Sequence, residues 1–423
     1  MTAIRAGLLL AVACLAAAGC GSSSASTSTP TATGEEVRAS APRASAPVAP
    51  ADAAALAQGN STFAGRILAH LAAAQPTLAL SPFSISDALA MTYAGARGQT
   101  ASEMAGALDI TLPPTRLFPA WGALAGSLED VNQPGATLSV ANALYGQRGM
   151  AFQTAFLTLL ARYYGAGVRT VDFEHAAAQA VAEINAWVSQ RTDAKIPSLL
   201  SAADVDDTTR LVLVNAVYLN AKWAAPFMKD NTAPAPFHAP GGTVNVATMN
   251  QLGRFGHRRH SGYAVLELPY RGGRIAFDVL LPDPGRLPAL LRMLAGGGLA
   301  AAVSGLQDQH VQVALPKLTL RTRFELAATL GALGMPVAFT DRADFSGIAG
   351  TPGDLRISNV IHEAYMRVDE AGTEAAAATA VSIATAAAPG PAPIQFRVDR
   401  PFVFVLRDTR TGAILFAGTV SQP

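Results

Sequence analysis

The chain has 423 residues, half of them hydrophobic, enough to bury a large core in one big domain or two. Its formal net charge is +1 and only 14% of its residues are charged, which excludes a basic field for nucleic acid and an acidic tail. Both cysteines, Cys14 and Cys20, lie near the N-terminus, so the body has no disulfide, thiolate nucleophile or cysteine metal site.

Residues 1–20 read as an export signal. Arg5 supplies the positive end, Leu8–Ala18 is an apolar run too short to span a bilayer, and Ala17-Ala18-Gly19 are small residues before Cys20. An ordinary secretory signal cut near Ala18 is one reading. The small triplet directly before cysteine favours the other, a bacterial lipobox with Cys20 as the lipidated first residue. Residues 21–55 are rich in Ser, Thr, Ala and Pro and have almost no large apolar side chain, so they read as a flexible tether.

The globular part is expected over 56–423. Phe63, Ile67 and Leu71 recur at helical spacing behind a possible Asn60-Ser61 cap. Leu78–Leu80 leads into Ser81-Pro82-Phe83-Ser84, with helices expected from about Asp87 and over Ser102–Leu108. Ala180–Gln190 is an amphipathic helix. Leu211–Leu219 is an almost continuous apolar strand, as at the centre of a sheet covered on both faces. Asn215 in its middle needs partners, or costs about 1–3 kcal/mol. Strands follow at Val244–Met249, Val265–Leu268, Ile275–Leu281 and Val311–Leu315, and a helix through Leu326, Leu330 and Leu333 stops at Gly334-Met335-Pro336. Phe402–Leu406 and Ala413–Val420 close the chain as a strand pair. This order gives a mixed α+β domain with more than one sheet.

Val368–Pro393 carries two patterns at once. Its alanine run favours helix. Alternate residues give Thr373, Ala375, Ala377, Thr379, Val381 and Ile383 on one side and smaller, partly polar residues on the other, which is a strand pattern. Pro389, Pro391 and Pro393 suit neither a helix nor a central strand. Such a segment can live as an exposed loop and also pair as a strand.

Leu80–Ser86, Gly95–Thr100, Asn215–Trp223 with Pro226-Phe227, Leu315-Pro316-Lys317, Ala343–Gly347, His362-Glu363-Ala364 and Pro401-Phe402 to Gly418 together resemble the serpin family, in serpin order, from about residue 56 to the end. Glu370–Thr379 (Glu370, Ala371, Gly372, Thr373, Glu374, Ala375, Ala376, Ala377, Ala378, Thr379) resembles the hinge of an inhibitory serpin at every position. The resemblance implies a fold of about nine helices and three β-sheets with an exposed reactive-centre loop. It implies a monomeric, irreversible suicide-substrate inhibitor whose partner is an extracellular serine protease, held as an acyl-enzyme while the cut loop enters the main sheet.

By the same resemblance the scissile bond is Ala386–Ala387, with a cut after Ala387 or Ala388 as the alternatives, and alanine suits elastase-like or subtilisin-like proteases. Ser81, Ser84, Asn215 and His362 map onto the polar cluster where the sheet opens; Glu370, Lys317 and Trp223 map onto its top. No cofactor or metal is expected. His257 and His260 flank two arginines and read as a solvated turn. No G-x-S-x-G elbow, H-E-x-x-H or phosphate-cradling loop is present, which argues against an enzyme. A non-inhibitory serpin acting as a binding or chaperone-like module is the alternative. Such proteins carry bulky, charged or proline residues in the hinge, and apart from Glu374 the stretch Gly372–Thr379 has none. If Cys20 is lipidated, the protein is anchored outside a bacterial membrane; otherwise it is secreted.

Overall fold

A computed structural model describes residues 35–44, 47–132, 135–373 and 392–423. In chain order its elements are β1 (Glu35–Val37), α1 (Pro50–Ala74), β2 (Leu78–Leu80), α2 (Pro82–Tyr93), α3 (Gly98–Ala107), α4 (Pro114–Glu129), β3 (Ala136–Gln147), α5 (Thr154–Leu159), β4 (Val168–Val171) and α6 (Phe173–Arg191). There follow β5 (Leu211–Lys222), β6 (Ala233–Ala239), β7 (Gly242–His260), β8 (Tyr263–Pro269), β9 (Ile275–Pro282), α7 (Leu287–Met293), α8 (Leu299–Ala302) and β10 (Gln307–Pro316). The chain ends with β11 (Leu318–Glu325), α9 (Ala327–Ala332), β12 (Asn359–Asp369), β13 (Gly372–Thr373), β14 (Ile394–Arg397), β15 (Phe402–Asp408) and β16 (Ile414–Val420).

The first sheet runs β1-β4-β3-β5-β13-β12-β11, with β5 also pairing β12 directly. As its almost continuous apolar run demands, β5 is covered on both faces. Val212 and Val214 join Tyr145, Phe173, Ile184, Trp187 and Val188 in a core under α6. Leu211 and Leu213, pointing the other way, pack with Ile85 and Leu89 of α2. Asn215 therefore faces α2, whose start is set by local chemistry. Pro82 occupies its first turn, and the Ser81 hydroxyl caps it by accepting from the Ser84 N–H at 3.2 Å. The helix thus begins five residues before the expected Asp87.

The second sheet runs β14-β10-β7-β8-β9-β15-β16-β2, with β6 on β7. Where three sheets were expected, the described residues form two. The reason is β7, 19 residues long, which pairs β6 at its start, β10 through its middle and β8 at its end, joining what would otherwise be separate sheets.

The body also starts earlier than the expected boundary at residue 56. Glu35–Val37 pairs antiparallel with Val168–Thr170. The Gly167 N–H donates to Glu36 Oε1 at 2.8 Å, the Ala44 N–H donates to the Arg162 carbonyl at 2.7 Å, and Arg43 pairs with Glu129 at 2.7 Å. Backbone pairing along a strand edge needs no large apolar side chain, so composition could not reveal it. Likewise α1 opens at Pro50, and Asn60 and Ser61 are buried within it rather than capping it. Good helix formers at Ala53–Ala57 extend it backwards.

Candidate functional site

The seam between β5 and β12 carries two groups of polar contacts. They pair in parallel from Val212/Asn359 to Tyr218/Tyr365. Beyond that point they part, and β13 lies between them, antiparallel to both, with Thr373 opposite Ala221 and Val368 and Gly372 opposite Lys222 and Asp369.

In the closed part, Asn142 of β3, Asn215 of β5 and His362 of β12 stand level, one per strand. The Ser81 N–H donates to His362 Nε2 at 3.1 Å, so that nitrogen carries the lone pair. The proton is then on Nδ1, which donates to Asn215 Oδ1. Asn215 Nδ2 donates to Ser84 Oγ and to Asn142 Oδ1, each at 2.5 Å, and Ser84 Oγ donates to Asn142 Oδ1 at 2.6 Å. Asn142 Nδ2 passes the chain to Asp87 at 2.8 Å, which also accepts from Trp121 Nε1. Burial lowers His362 to about 3, so the imidazole is neutral. Burial likewise pushes the Asp87 carboxyl up, against the hydrogen bonds from Asn142 and Trp121. Separating β5 from β12 breaks the His362–Asn215 bond and strands two buried polar groups.

At the open end, Lys317 Nζ donates to both Glu370 oxygens, at 3.0 and 2.9 Å, and Thr232 Oγ1 donates to Glu370 Oε1 at 2.9 Å. Burial pushes the Glu370 carboxyl up, but Lys317 and Thr232 outweigh it and hold it below its usual range. Trp223 stacks on Tyr270 with centroids 4.4 Å apart, and its Nε1 donates to the Asp369 carbonyl at 2.9 Å. The Trp223 and Phe227 N–H groups donate to the Ala371 and Glu370 carbonyls at 3.0 and 2.9 Å. Thr373 is fully buried, and its hydroxyl shares a hydrogen bond with the Tyr270 hydroxyl. Gly372 has φ +153° and lies so close to β5 that a Cβ there would fall 2.0 Å from the Ala221 carbonyl oxygen.

Ser81, Ser84, Asn215 and His362 thus form one cluster, and Glu370, Lys317 and Trp223 meet at the top, with Gly372 and Thr373 between the strands. Glu374, Ala375, Ala376, Ala377, Ala378, Thr379, Ala386, Ala387 and Cys20 lie outside the described residues. Sequence reasoning missed Asn142, Asp87, Trp121, Tyr270 and Thr232. Asn142 had the same signal as Asn215, an amide inside an apolar strand, in Val140-Ala141-Asn142-Ala143-Leu144. His257 and His260 lie on β7, and no group of three potential metal ligands is found among the described residues.

Residues 58–423 match the family model described as Serpin (serine protease inhibitor). The chain is 37% identical over 385 residues to leukocyte elastase inhibitor A of Rattus norvegicus, covering 87% of this chain and 99% of that one. It is 36% identical over 344 residues to an uncharacterised serpin-like protein of Thermococcus kodakarensis, covering 81% and 80%. The structure of the thermophilic serpin tengpin in its native state superposes with a TM-score of 0.82 at 25% identity, covering 92% of this chain and 100% of that one.

Proposed function

The chain belongs to the serpin (serine protease inhibitor) family, and from that premise we propose that it is a suicide-substrate inhibitor that traps its protease by inserting the cleaved loop between β5 and β12. The observation that carries this reading is β13. The first two strand positions of the two-pattern segment already occupy the seam, paired on both sides, and the sheet below them is closed. Insertion then means extending an existing strand downwards, one residue pair at a time, through the Asn142–Asn215–His362 row.

The driving force is adequate. Ten further strand hydrogen bonds at roughly 0.5–1.5 kcal/mol each come to about 10 kcal/mol. Burial of Val381 and Ile383 adds about 1.5–3 kcal/mol apiece. The small side chains from Ala375 to Ala378 let the hinge enter without a clash.

The target class follows from Ala386–Ala387. A small apolar residue before the scissile bond fits elastase-like or subtilisin-like serine proteases rather than trypsin-like ones. In this reading the protein works outside the cell, held at a bacterial membrane through Cys20.

The test mixes the protein with a panel of serine proteases and looks for an SDS-stable complex, with mass spectrometry of the released peptide. Elastase or subtilisin should give the complex, with the cut at Ala386–Ala387. Thr373→Arg places a guanidinium where the threonine is fully buried, at an effective cost of several kcal/mol. Deacylation should then win: the variant is cut at the same bond and active protease is released. Trapping by the variant as complete as by the wild type would overturn insertion from this hinge.

A further inference from the structure

Every residue of β9 is buried, and one of them is charged: Asp278, with no exposed surface. It stands opposite Glu267 on β8 and opposite Val405 on β15, two residues short of Arg407. Residues directly opposed in an antiparallel pair have Cβ atoms about 5 Å apart, so two carboxylates there repel. One guanidinium serves both. Arg407 Nε donates to Asp278 Oδ2 at 2.7 Å, and its Nη2 donates to Glu267 Oε2. Asp278 Oδ1 is buried and, among the described residues, has no hydrogen-bond partner.

Two carboxylates on one guanidinium leave a surplus negative charge in the core, on a side chain with an oxygen that nothing donates to. A proton relieves both problems, since it cancels the charge and turns a bare acceptor into a hydroxyl that can point at Glu267. Burial pushes the Asp278 carboxyl up to about 7; Arg407 opposes the rise and Glu267 adds to it. The other elements on this face of the sheet bring no further charge close. From α1 come Phe63, Ala64 and Ile67. A cavity of about 420 Å³ lies alongside, lined by Glu267 and Arg407 and otherwise by uncharged residues of α8, the turn after it and the start of β16. Arg258 of β7 is tied to the Ser304 carbonyl at the rim, at 3.1 Å. The cavity gives a proton a way in and out.

We propose that Asp278 is a proton-operated brace of the second sheet: with a proton bound, Asp278, Glu267 and Arg407 balance their charges across β8, β9 and β15, and loss of that proton loosens the three strands. The brace is independent of the protease-trapping reading, since it is measured with no protease present.

The sign is fixed by the two states. The unfolded aspartate ionises near 4 and the folded one near 7, so the stabilisation is complete below about pH 4 and is lost as pH rises to 7. Urea unfolding of the full chain at pH 5 and pH 8, set against Asp278→Asn, isolates this group from His362 and the rest. The ratio of unfolding constants, wild type over variant, should rise at least tenfold between the two pH values, each pH unit inside the window being worth about a factor of ten. Infrared titration provides the reading if Asp278→Asn fails to fold. The wild type should show a protonated-carboxyl band that disappears between about pH 6 and 8, and Glu267→Gln, which removes the facing carboxylate, should move that loss to lower pH. A ratio that does not change with pH, no carboxyl titrating in that range, or a titration unmoved by Glu267→Gln would each overturn the proposal.

Discussion

His362 is the residue on which closure of the sheet turns. Its Nε2 accepts from a backbone N–H, so protonation would set two donors face to face in a buried site. Burial lowers it in the folded state to about 3, against roughly 6.5 when unfolded. The unfolded chain thus binds the extra proton between those values. The stabilisation is complete above about pH 6.5 and is lost progressively as pH falls towards 3. Going from pH 7.5 to 5 should cost about 2 kcal/mol from this group alone. Urea unfolding at the two pH values, compared with His362→Gln, checks it: the variant should lose about that much less on acidification. Equal losses in both proteins would remove His362 as the source.

Among the elements, β13 has the greatest leverage for its length. A methyl at residue 372 would collide with the Ala221 carbonyl at 2.0 Å and with Lys222 Cα at 2.7 Å, both backbone atoms that cannot step aside. Gly372→Ala is therefore expected to expel β13 and speed hydrogen exchange at Thr373 and Ala221 by at least tenfold, leaving β5–β12 pairing intact below Tyr218. Unchanged exchange would mean that the strand tolerates the methyl. The two-residue strand also marks how far the sequence could be read. Strand β5 was legible because eight apolar residues in a nine-residue run have no other place than a doubly covered sheet centre, and Asn215 stood out against them. The pairing of Lys317 with Glu370 was implied by the family resemblance, whereas the cap at Ser81 was missed, the helix being expected only from about Asp87. What escaped were arrangements that depend on backbone geometry: β1 pairing at an edge, β7 threading two groups of strands into one sheet, and Asn142 brought level with Asn215 by register. The partial entry of Gly372 and Thr373 is also a property of the folded sheet, since the segment's two patterns allow it either state.

For the whole molecule, the early start of the body shortens its leash. Between Cys20 and Glu35 the backbone can span at most about 50 Å, whatever its conformation. An anchored protein would keep its first strand within that distance of the bilayer. Under the lipoprotein reading, diacylglycerol with a further acyl chain on Cys20 suffices for stable anchoring. Cys20→Ser should move the protein from the membrane fraction to the medium with trapping rates unchanged. Wild-type protein already soluble, with its N-terminus near Ala18 or Gly19, would end that reading.

The three residues of β1 also do for β4 what a neighbouring molecule otherwise could. By pairing with Val168–Thr170 they use up the outward backbone groups of the strand. A bare β-edge invites another chain to add to it. The N-terminal segment is thus an intramolecular plug against self-association, fastened by Glu36 at Gly167 and by Arg43 at Glu129. Clipping the chain at this segment would bare the outward edge of β4. Protein lacking residues 1–44 should sediment as dimers and larger species at concentrations where the full-length soluble form is a single species; identical sedimentation would show that β4 needs no cover.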